Sequence, residues 1–128
     1  MYRNNHLIYW ITRFPKTMDL TLEDLMEALR YKLPGAYFEG TTFRGGFEIF
    51  IPIDGVQYEN EDGLMRQHYF IITVDSIRNA VRLYIYKEER LNTDFAPIRV
   101  QFCRIMHSLK EYVTEHRTVD KMLSKIIS

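Results

Sequence analysis

Three things are scarce in this sequence, and each absence narrows what the chain can be. It has a single cysteine, Cys103, so no internal disulfide can staple the fold, which fits a reducing, cytoplasmic compartment. No apolar run approaches the ~20 residues of a membrane span. The polar start, Met1-Tyr2-Arg3-Asn4-Asn5-His6, lacks the pattern of a secretory leader, so no membrane association is expected. Net charge is also missing, because 17 Lys and Arg balance 17 Asp and Glu. That removes the usual electrostatic case for non-specific binding to nucleic acid or anionic lipid.

What is present suits one globular unit. The 128 residues make a single domain, 1–128, able to bury one core without staples. With 46% hydrophobic and 27% charged residues, the composition excludes disorder. The unusual richness is aromatic: nine Tyr, eight Phe and one Trp.

Periodicity divides the chain. His6 to Phe14, ended by Pro15, reads as a strand. Thr21 then stands as a helix cap with Asp24 three residues on, and Leu20 and Leu25 occupy the hydrophobic-staple positions. Leu22, Leu25, Met26, Leu29 and Leu33 recur at helical spacing until Pro34-Gly35 stops the run. From Ala36 to Glu89 the texture changes to strands and tight turns. A turn within Gly40–Gly46 splits Ala36–Phe50 in two, and the alternation Phe47, Ile49, Ile51, Ile53 leads to Asp54-Gly55, a dipeptide that favours a two-residue hairpin turn. Pro52 points to an edge or a bulge there. Two further strands, His68–Val74 and Val81–Tyr86, are joined through Ser76–Asn79.

The last third, from about Asp94, is helical, with Pro97 in its first turn. Ile98, Phe102, Ile105, Leu109, Tyr112, His116, Val119, Leu123 and Ile126 step by four and three, a heptad seam. A continuous helix of ~33 residues would be about 50 Å long, against about 30 Å for a nine-residue strand. Either it breaks near Arg117-Thr118, or its end projects and packs on another chain. The fold class is therefore α+β: a curved antiparallel sheet of four to six strands with helices on one face, in the order β-α-β-β-β-β-α. That order is similar to one half of the TATA-binding protein and, loosely, to helix-grip folds. The similarity lies in element order alone, with no shared motif, and carries no function.

No motif specifies chemistry. His107 with Glu111, and His116 with Asp120, are four apart on the helix, but neither makes a metalloprotease signature, and they read as a surface pair and a register residue. His68 reads as a strand-end residue and Cys103 as a small buried one. Arg44-Gly45-Gly46 matches no phosphate loop, and Glu59–Gly63 lacks the alternating carboxylates of a calcium loop. No catalytic residue, cofactor or metal is assigned.

The one distinctive surface is aromatic. Tyr9, Ile11 and Arg13 share a strand face, as do Arg82, Tyr84 and Tyr86, each opposite an aliphatic face. If the aliphatic faces meet the helices, a Tyr/Arg face is left, of the kind that dominates protein–protein hot spots or stacks on bases. Residues 34–63 carry a net charge of −5 between basic flanks, which suits a charged protein partner better than a phosphate backbone. The leading expectation is a non-catalytic protein-binding or regulatory domain, with Tyr9, Arg13, Arg82, Tyr84 and Tyr86 at the partner. A homodimer would form through Leu109, Tyr112, His116, Val119, Leu123 and Ile126. The alternatives are a nucleic-acid-binding module on the same Tyr/Arg face, and a small-ligand binder or enzyme with a pocket between sheet and long helix.

Overall fold

The computed structural model describes residues 9–16, 18–59, 65–85 and 95–127. Five strands and two helices follow in the expected order: β1 (Tyr9–Arg13), α1 (Leu22–Lys32), β2 (Glu39–Phe43), β3 (Gly46–Glu59), β4 (Met65–Asp75), β5 (Ala80–Ile85) and α2 (Phe95–Ile127). The strands form one open antiparallel sheet in the order β1-β5-β4-β3-β2. The α1 crossover therefore carries the chain from one edge of the sheet to the other.

Each helix lies where its sequence directs it. The Thr21 hydroxyl accepts a hydrogen bond from the Asp24 N–H at 3.2 Å, Leu25 and Leu29 are buried, and Gly35 takes the left-handed backbone that ends the run (φ 85°). On α2, Ile98, Phe102, Ile105, Leu109, Tyr112 and Val113 are buried with α1 and with one face of the sheet in a single core. The sheet contributes Phe47, Ile49, Ile51, Phe70, Ile72, Val74, Val81, Leu83 and Ile85, alternate residues of each strand, as a half-buried pleat requires.

Several expectations need correction. Asp54-Gly55 is not a hairpin turn: β3 runs through it, with a register shift against β4 between Pro52 and Gln57. The bulge signal of Pro52 was the sounder one. The last β2 partner of β3 is Phe50, so at Pro52 the outer edge of β3 is no longer paired with β2 and the missing N–H costs no ladder bond. Asp54 on that bare edge bonds instead to α2: its N–H donates to Gln101 Oε1 at 3.0 Å, and Gln101 Nε2 donates to its carbonyl at 3.3 Å. The two-residue turn lies earlier, at Arg44-Gly45, where Gly45 has φ 95°. His68 is no strand-end residue but lies inside β4, fully buried. Cys103 is exposed, because it falls one residue past Phe102 and so rotates off the buried stripe.

The C-terminal helix is continuous over 33 residues, with no break near 117–118. Leu109 and Tyr112, assigned from sequence to a dimer seam, are buried in the chain's own core. A seam for a second chain therefore starts no earlier than His116, whose side chain, with those of Val119, Leu123 and Ile126, lies outside the described residues.

Candidate functional site: the bare face of the sheet

The antiparallel registers place side chains in rows across the face opposite the helices. One row reads Tyr9, Tyr84, Ile71, Phe50, Glu39 from β1 to β2, and the next reads Ile11, Arg82, Thr73, Glu48, Thr41. A third reads Arg13, Ala80, Asp75, Gly46, Phe43. Among the described residues no helix or strand covers this face, and Tyr9 (50% exposed) and Ile11 (43%) stand open on it.

The face is internally ordered. Tyr9 and Tyr84 pack with ring centroids 6.4 Å apart, and Phe50 meets Tyr69 edge-on at 6.2 Å, the offset geometries that aromatic quadrupoles favour. At the centre, Thr73 Oγ1 donates to Glu48 Oε2 at 3.2 Å and lies 3.2 Å from the Tyr84 hydroxyl. Arg13 Nη1 donates to the Arg78 carbonyl at 3.0 Å, tying β1 to the β4–β5 turn. Asp75 starts that turn by accepting from the Ile77 and Arg78 N–H groups, which hold its carboxyl below the usual carboxylate range. Arg82 keeps its Nε buried with no hydrogen-bond partner among the described residues.

Four of the five partner residues assigned from sequence, Tyr9, Arg13, Arg82 and Tyr84, are thus on one surface. Tyr86 lies outside the described residues. Phe50, Ile71, Tyr69, Thr73 and Glu48, to which the sequence assigns no role, complete the face. Their parity within His68–Val74 and Phe47–Asp54 was the available signal, masked because β4 is apolar on both faces.

Apolar side chains pack between sheet and α2, except at the bare edge of β3, where Ile51 and Phe70 of the sheet and Ile105 of α2 border an open cleft. A cleft of about 520 Å³ opens at the bare edge of β3, lined among others by Lys32, Tyr37, Asp54, Gln101 and Arg104. Neither His68 nor His107 lines it. The Lys32 ammonium there is already held by Glu111 (2.6 Å) and Glu115 (3.3 Å) of α2, so Glu111 pairs with α1. Among the described residues no group of three His, Cys, Asp or Glu side chains could hold a metal ion, and no helix is long and apolar enough to cross a membrane. Comparison with known protein families, characterised proteins and solved structures finds no match.

Proposed function

We propose that this chain is a non-catalytic protein-binding domain that holds its partner on the bare face of the sheet. One observation carries the reading: Tyr9, Ile11, Tyr84, Phe50 and Tyr69 adjoin around a buried Ile71 on a face that no described element covers. Contiguous apolar and aromatic surface of this kind marks interaction sites rather than ordinary solvated surface. A nucleic-acid partner fits the same residues less well. Arg13 is engaged with a backbone carbonyl, and Glu39, Glu48 and Asp75 share the face, where they would repel phosphates.

A second reading, self-association through the C-terminal part of α2, is favoured by the unbroken length of that helix, which continues fourteen residues past Val113. Photo-crosslinking in the native cell tests the main reading. A photoreactive residue replacing Tyr84 should give a discrete protein adduct, while one replacing Tyr31, on α1 and 87% exposed, should not. Equal labelling at both positions, or none at Tyr84, overturns it.

A further inference from the structure

The rows of the sheet face are arranged so that the face complements itself. β4 runs along the middle, with β5 and β1 on one side and β3 and β2 on the other. In one row Arg82 and Glu48 stand at equal distances on either side of Thr73. In the row beside it Tyr84 and Phe50 flank Ile71, and in the third Ala80 and Gly46 flank Asp75. Cation faces carboxylate, ring faces ring, and small residue faces small residue.

Resting on the sheet face as a protein-binding surface, we propose that its partner is a second copy of this chain. The two copies would pack face to face about a two-fold axis running along β4 in the plane between the sheets. That axis lays β5 of one copy over β3 of the other. Arg82 then meets Glu48 of the second copy twice, by symmetry, and Tyr84 lies on Phe50. A two-fold axis across the strands instead stacks Arg82 on Arg82 and Glu48 on Glu48, whereas the axis along β4 brings together one like-charged pair, Asp75 with Asp75, whose carboxylates are already held by the Ile77 and Arg78 N–H groups and by the Arg78 guanidinium. Aligned sheets pack about 10 Å apart with strands within about 30° of each other, which suits the strand-parallel axis.

Within one chain Arg82 and Glu48 are two strands apart, about 10 Å, and no ion pair joins them among the described residues. Arg82 Nε is buried with no hydrogen-bond partner among the described residues, and within the chain its charge acts on Asp75. A facing carboxylate brings complementary charge to that side chain. The face measures about 20 Å by 20 Å, less than the ~800 Å² per partner of a standard interface, so the dimer should dissociate in the micromolar range.

Sedimentation equilibrium of the full chain across that range tests the proposal. Arg82→Glu and Glu48→Arg should each raise the dissociation constant at least about tenfold, and the double swap should restore it to within about threefold. If a reversal unfolds the chain, cross-linking with a short bismaleimide, whose reach matches cysteines on sheets about 10 Å apart, replaces it. In a Cys103→Ser background the axis sets Ile11 of one copy over Thr41 of the other. A mixture of Ile11→Cys and Thr41→Cys chains should therefore cross-link, whereas Ile11→Cys alone should not. A monomer throughout, or a dimer indifferent to the reversals, overturns the second copy. An adduct at Tyr84 containing a different protein would overturn it too while leaving the protein-binding reading standing, and absence of any adduct would remove both.

Discussion

Gly46 opens β3 opposite Asp75, and a Cβ built there would overlap the Val74 carbonyl oxygen. Because that atom belongs to a paired backbone, neither side can yield. Gly46→Ala should cost about 3 kcal/mol or more, among the large effects single substitutions produce. Gly40 makes the instructive contrast. Its Cβ would meet Leu22 Cδ1 at 2.7 Å and Met26 Sδ at 2.9 Å, but these are flexible side-chain ends where α1 crosses β2. Gly40→Ala should cost only about 1–2 kcal/mol. Urea denaturation of the two variants beside the parent checks the order, and equal costs would refute the backbone argument. Neither role could be read from the sequence, in which both glycines look like generic turn residues. What decides them is which atom sits across the strand, and that depends on register.

Between elements, two polar links hold α2 to the rest of the fold. Gln101 occupies the bare edge of β3 by pairing with both backbone groups of Asp54, in effect one residue's worth of strand supplied by a helix. Gln101→Glu retains an acceptor for the Asp54 N–H but sets a carboxylate against the Asp54 carbonyl. It should cost about 1 kcal/mol and speed hydrogen exchange at the Asp54 amide, whereas an unchanged exchange rate would show that the link is not formed. Lys32 supplies the second link, to Glu111 and Glu115. The hydrogen bond to Glu111 raises the Lys32 pKa, and Lys32 holds Glu111 below the usual carboxylate range. The carboxylate's contribution is present above its unfolded value of about 4.3 and is lost as pH falls through the lower folded value; that of Lys32 is present below about 10.4 and is lost as pH rises through its raised value. The melting temperatures of the parent and Lys32→Met should therefore differ between those limits and converge at strongly acidic pH. At this scale the sequence was partly legible. The cap, stripe and stop of α1 agree with one another and were read correctly, because local signals and tertiary packing point the same way. Asp54-Gly55 was misread because the dipeptide falls in a bulge between two stretches of β3 that both pair with β4, and the Gln101 link was invisible because its partner is backbone.

At the scale of the whole molecule, the question is which surface a second chain would use. The seam on α2 reads as one continuous stripe from Ile98 to Ile126, yet its N-terminal half is occupied: Ile98, Phe102, Ile105, Leu109 and Tyr112 are all buried against this chain's own core. Heptad spacing reports only that a face is apolar. It cannot say whether a sheet or another helix covers it, so the sequence overcounted the surface available for assembly. The sheet face went the other way. Tyr9, Arg13, Arg82 and Tyr84 were legible from alternation, but the symmetry of Arg82 with Glu48 about Thr73 exists only once the strand order is known. Two routes to assembly then make opposite predictions for a chain ending at Arg117. If the sheet face carries the contact, removing residues 118–128 leaves the melting temperature as dependent on protein concentration as before, because mass action still couples folding to association. If the end of α2 carries it, the dependence disappears on truncation and Arg82→Glu leaves it untouched. Thermal denaturation of the parent, the truncated chain and Arg82→Glu at several concentrations separates the two, and the self-complementary face predicts that only Arg82→Glu abolishes the dependence.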